Sequence, residues 1–158
     1  MSYIDKVKKK RVERFFEDIA KTIEGWVAMV SHSAAVASAD VNYRLALRGM
    51  NDAINYLRES LQTLRLEYNE LVAEQNIDPL AVSPLVEFPE LIRRVEESLA
   101  KARSIAYSYN EMLKQCDSQK VDTSKYLTAK NRQAIDRLFD MKVEELLALF
   151  KDNYLLGF

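Results

Sequence analysis

YRLALRGMNDAINYLRESLQTLRLEYNEL, residues 43–71, decides the fold class. Its apolar positions Tyr43, Leu47, Met50, Ile54, Leu57, Leu61, Leu64, Tyr68 and Leu71 alternate in steps of four and three. That spacing keeps one seam on one side of an α-helix and would scatter the same residues over both faces of a strand. The stretch therefore predicts a helix over about 40–75, on the order of 50 Å long at 1.5 Å per residue. One margin of the seam, Ala46, Ala53 and Ser60, is small enough for another helix to approach closely. The other, Arg44, Asn51, Arg58 and Arg65, is polar and basic.

Downstream, Pro79, Pro84 and Pro89 are the only prolines in the chain. Each turns the preceding residue away from helical geometry, which marks 76–89 as a loop. Pro89 then suits the first turn of a third helix, 89–116, where a missing amide costs nothing. Its heptad series runs through Phe88, Ile92, Val95, Leu99, Ala102, Ala106, Tyr109 and Leu113. A second stripe, Leu91, Ser98, Ile105 and Met112, widens the apolar face enough to ask for more than one neighbour. A looser series, Ile135, Leu138, Phe139, Val143, Leu146 and Phe150, predicts a fourth helix over 129–152, followed by an apolar tail at 153–158.

Upstream, Ser2 and Asp5 have capping-box spacing. They open a first helix, 2–32, with the seam Val12, Phe16, Ile19, Ile23, Trp26 and Val30. Continuing that seam would bury Ser33, Ala37, Asp40 and Arg44, so the phase predicts a break between His32 and Asp40, with Ser38 or Asp40 capping the next helix. The expectation is an all-α domain spanning 1–158. It is a bundle of about four helices, built on a long antiparallel hairpin of the second and third, with the first and fourth packed against it. Heptads do not say whether all the helices belong to one chain, and a dimer sharing its long helices would give the same coiled-coil pattern.

Composition agrees. A chain of 158 residues, 48 % hydrophobic and with only 3 Gly and 3 Pro, can bury a core without staples and has few of the residues that tight turns need. The single cysteine, Cys116, has no partner for an intramolecular bridge, which points to a reducing, cytoplasmic setting. The basic start has no apolar stretch behind it as a secretory signal would, and no window reaches the length of a membrane span. A net charge of -1 argues against a surface made wholly for nucleic acid.

Chemistry finds little support. His32 is the only histidine, which removes most zinc sites and general-base relays. The pairing of a histidine with an arginine a few residues earlier, used by some helical ribonucleases, is missing: the nearest upstream arginine is Arg14. Glu96, Glu97, Glu144 and Glu145 fall on solvent-facing positions, and no Glu-x-x-His or Gly-rich phosphate loop occurs. The expectation is a protein that is not an enzyme, with no catalytic residue, no metal, no cofactor and no small-molecule substrate.

Three features point to binding. Lys6, Lys8, Lys9, Lys10, Arg11 and Arg14 against Asp5 and Glu13 give the first fourteen residues a net +4, leaving -5 on the rest. Adjacent cations repel one another, so a phosphate backbone, an acidic protein surface or simply water would answer them. The margin Arg44, Arg58 and Arg65, with Arg48 and Tyr56 nearby, could track a nucleic-acid backbone while tyrosines stack on bases, although Asp52, Glu59, Glu67 and Glu70 are interleaved. Leu91, Ile105 and Met112, with Tyr154, Leu155, Leu156 and Phe158 in the tail, are candidates for docking a partner. The first expectation is a non-enzymatic subunit acting through protein–protein contact, self-association or assembly in a larger complex. The second is a small accessory subunit of a nucleoprotein complex, of the kind found in CRISPR effectors, gripping DNA or RNA through its Lys and Arg.

Overall fold

A computed structural model describes the backbone of residues 3–39, 43–81 and 83–151, with side chains described for 6–36, 43–81 and 83–151. The described residues form helices and connections and contain no strand. In chain order the helices are α1 (Tyr3–Ala39), α2 (Arg44–Ala73), α3 (Pro84–Glu87), α4 (Pro89–Ser118), α5 (Ala129–Phe139) and α6 (Val143–Ala148), with a 3-10 turn at Thr123–Lys125.

The first helix is the hub. α2 returns antiparallel along it, placing Tyr68 beside Phe15, Tyr56 beside Gly25 and Gly49 beside Ser33. α4 lies along it in parallel, with Phe88 against Phe16 and Arg94 reaching both Glu17 and Glu24. The two heptad helices, α2 and α4, do run in opposite directions. They pack lengthwise on α1, however, and meet each other only marginally, so the hairpin read from their seams has α1 between its arms.

α5 and α6 fill the space left between α2 and α4. Asn131 reaches Asn51 and Asn55 of α2, while Phe139 stacks on Tyr109 of α4 with ring centres 6.1 Å apart. Phe150, just beyond α6, seals the far end against Phe15 and Tyr68 at 5.4 and 6.1 Å. Trp26 of α1, wholly buried, closes the middle against Phe139 at 5.6 Å.

Two helix boundaries differ from the sequence reading. The first helix does not stop near His32 but continues to Ala39, so Ser38 lies within it. The reason is the residue that made the phase look wrong. Ser33 is 3 % exposed and occupies the seam because Gly49 opposes it, where any Cβ would collide with the serine hydroxyl. A small polar residue thus continues an apolar seam by facing bare backbone. α2 starts instead after Tyr43, which adopts a left-handed φ of 59° and provides no side-chain cap. Asp40 lies outside the described residues, as does the capping box at Ser2 and Asp5.

The other difference is the fourth helix, which is broken in two at 140–142. The looseness of its apolar series was the trace of that break, because Phe139, Met141 and Val143 are all buried and a continuous helix would turn Met141 to the side opposite the other two. Thr128 starts α5 by accepting the Asn131 amide at 3.2 Å, an ordinary N-cap.

The ends of the two long heptad helices share one device. Asn76 and Lys120 take left-handed φ values of 53° and 56°. The next amide returns to a carbonyl five or six residues back, Ile77 to Leu71 at 2.7 Å and Val121 to Cys116 at 2.8 Å. The second, with the Lys120 amide on the Asp117 carbonyl at 3.1 Å, is the Schellman arrangement; the first spans one residue more, and both satisfy terminal carbonyls and point the chain away from the helix. Asp78 then fixes the proline loop, accepting from the Leu80 amide at 3.0 Å and the Tyr68 hydroxyl at 3.3 Å.

Candidate interaction surface

The basic N-terminal turns lie at the end of the molecule where α2 finishes and α3 sits. Lys6, Lys8, Lys9, Lys10, Arg11 and Arg14 are all solvent-exposed. Part of their charge is answered within the chain. Lys9 stands 3.8 Å from Glu87, Arg11 donates to Gln75, and Arg14 lies close enough to Glu67 to favour its carboxylate.

The arginine margin of α2 does not form one solvent-facing row. Arg44 is exposed, but Arg58 and Arg65 are half-buried and turn towards α5 and the end of α6. Arg58 donates to the Asn131 side chain, and burial lowers its pKa from the ordinary arginine value. Arg65 donates to the Leu149 carbonyl at 3.4 Å. Asn131, 1 % exposed, also donates to Asn51 and Asn55 at 2.7 and 3.0 Å, while the Thr128 amide donates to Asn51 at 3.1 Å. What the sequence presents as a backbone-tracking stripe is largely a polar clamp that holds α5 on α2. Arg48 remains outside it, 5.1 Å above the ring of Tyr126, a cation–π contact.

The second stripe of α4 finds its neighbours inside the chain. Met112 is buried, and Leu91 and Ile105 are half-buried against the core. Tyr154, Leu155, Leu156 and Phe158 lie outside the described residues.

The strongest exposed apolar feature is one that sequence reading passed over as loop. α3 is a single turn opened by Pro84, and none of its residues is buried. It holds Leu85 at 57 % and Val86 at 74 % exposure. Beside it runs a groove of about 330 Å³ lined mainly by Leu80, Leu85, Ile92, Val143 and Leu147, with Lys151 at its rim. Isolated exposed leucines are ordinary, but neighbouring ones on a dedicated turn next to an apolar groove form a patch. The available signal was the apolar pair directly after Ser83-Pro84.

Among the described residues no cluster of His, Cys, Asp and Glu could hold a metal, and His32 is exposed on α1. Cys116 is buried, and burial pushes its thiol pKa up, away from the reactive thiolate. No described helix is long and apolar enough to cross a membrane. In comparisons with protein-family models, curated proteins and solved structures, nothing matches this chain.

Proposed function

We propose that the chain is a non-enzymatic helical-bundle subunit that works through protein–protein contact, by self-association or within a larger complex, and that α3 is its contact point. The observation that carries this reading is the exposure of Leu85 and Val86 on a turn that buries nothing in its own chain. An apolar pair displayed in this way loses nothing when a partner covers it, and gains the transfer of its side chains out of water, about 25 cal/mol per Å². The cytoplasm suits such a subunit, since its lone thiol needs no oxidising surroundings.

Sedimentation velocity over a range of concentrations tests the proposal, together with native purification to recover any stable partner. The wild-type chain is expected to travel as an assembly, and Val86→Asp to release a monomer with unchanged melting temperature. A wild-type chain that stays monomeric at high concentration and copurifies with nothing would remove the reading.

A second reading, an accessory subunit of a nucleoprotein complex such as a CRISPR effector, draws on Lys6, Lys8 and Lys10. These are exposed and form no ion pair among the described residues. Single-stranded nucleic acid titrated at low salt checks it. Binding should weaken steeply as salt rises, and the absence of binding at low salt would end it.

A further inference from the structure

We propose that a pocket between the start of α2 and the second half of α4 binds an alkylated ammonium group, held by tyrosine rings and a carboxylate. The pocket encloses about 270 Å³ and draws on Tyr43 together with Tyr107, Tyr109, Glu111, Met112 and Gln115 of α4. Three of the chain's eight tyrosines thus line one small cavity. Tyr109 is buried and forms its inner wall, whereas Tyr107 is 73 % exposed and stands at its mouth. The Tyr43 hydroxyl donates to Gln115 Oε1 at 2.6 Å, which ties the start of α2 to α4 and holds the Tyr43 side chain in place.

The lining selects the charge of its ligand. Glu111 is its one ionised side chain, and no Lys, Arg or His lines the pocket. Tyrosine rings present negative faces that attract cations, so rings and carboxylate act in the same sense and oppose an anion. The Glu111 carboxylate also meets Lys114 at 3.4 Å, an exposed pair one turn apart of a kind that contributes little and that a cation inside the pocket can displace. A bare ammonium is better served by water, because the Gln115 carbonyl is already engaged by Tyr43 and few other acceptors line the cavity. An alkylated one turns its methyl groups towards the rings and Met112 and loses less hydration. The volume lies just below the roughly 300–1,000 Å³ of clefts for drug-sized ligands, which suits a small headgroup. The pocket sits towards the other end of α4 from α3, so the inference stands apart from the α3 contact, and Val86→Asp should leave it intact.

Choline titrated into the full-length protein, followed by amide chemical shifts, provides the test, with 3,3-dimethylbutan-1-ol as the uncharged molecule of the same shape. Choline should shift the amides around Tyr43 and 107–115 saturably and bind at least about tenfold more tightly than the alcohol. Tyr107→Leu should weaken choline at least about fivefold and Tyr107→Phe should retain it, since either ring offers a negative face. Tyr107 is mostly exposed, so both variants keep the wild-type melting temperature. Glu111→Gln should weaken binding and flatten its dependence on salt. A short peptide carrying trimethyl-lysine presents the same group from a partner's side chain; binding of either probe supports the inference, and the tighter one identifies the source. Three results would overturn it: no shift around the pocket with either probe, equal affinity for the alcohol, or unchanged binding by Tyr107→Leu.

Discussion

At Gly49, α2 gives up a side chain so that Ser33 can lie against its backbone, and the two glycines facing across α1 and α2 are not equivalent. A Cβ at Gly49 would meet the Ser33 side chain close to its own backbone, where little can move. A Cβ at Gly25 would come within 2.8 Å of the Tyr56 hydroxyl, the far end of a long and half-exposed side chain that can swing aside. Both substitutions gain about 1 kcal/mol from helix propensity, but only Gly49→Ala carries the 1–3 kcal/mol of overpacking. Thermal unfolding should therefore place Gly49→Ala about 1 kcal/mol below wild type and Gly25→Ala at or above it. Ser33→Gly should restore the first. The same contact explains why the end of α1 could not be read from the sequence. A seam position occupied by serine reads as a lost phase unless the glycine opposite is known, and Gly49 lies sixteen residues away on another helix.

Among the elements, the long helices were legible and the short ones were not. α2 and α4 follow their heptads closely, with Leu47, Met50, Ile54, Leu57 and Leu61 and their counterparts Ile92, Val95 and Leu99 all buried. The central place of α1 also left a mark in the sequence: adjacent pairs such as Phe15-Phe16, Ile19-Ala20 and Trp26-Val27 are buried together, because that helix has neighbours on more than one side. A single seam traced through Phe16, Ile19 and Trp26 passes over Phe15, Ala20 and Val27, the other member of each pair. α3 has four residues, too few for any periodicity, so its exposed Leu85 and Val86 could be recognised only in three dimensions. The clamp on α5 was hidden for another reason, since Asn131 acquires its role from Asn51, Asn55 and Arg58, more than seventy positions away. Asn131→Ala should cost about 2 kcal/mol, the middle of the range for a buried polar group left without its partners. Hydrogen exchange should show the loss as faster exchange across 129–139 while the α1 amides keep their protection.

Over the whole molecule, stability should depend on pH through a carboxyl pair joining α1 to α2. Burial pushes the Glu67 pKa up to about 7 from an ordinary 4.5, reinforced by the charge of Asp18 and a hydrogen bond shared with it, opposed by Arg14 and assisted by Glu70. Between those two values the folded protein holds a proton that the unfolded chain has released. Stability on this account is complete below about 4.5, falls as pH rises towards 7, and stays reduced above it. Because solvent reaches Glu67 and screens its neighbours, the effect should be on the order of 1 kcal/mol rather than the full value of the shift. Urea titrations of Glu67→Gln should match wild type near pH 4 and exceed it by about that amount at pH 8, flattening the profile between. The hub position of α1 also bears on how fast the native state is reached. Its contacts with α2 begin between residues close in the chain, such as Ser33 with Gly49, whereas those with α4, such as Glu17 and Glu24 with Arg94, join residues 77 and 70 positions apart. Docking of α4 onto a preformed α1–α2 pair carries the larger loop-closure entropy, so changes at the α1–α4 contact should govern the folding rate more strongly than equally costly changes at the α1–α2 contact.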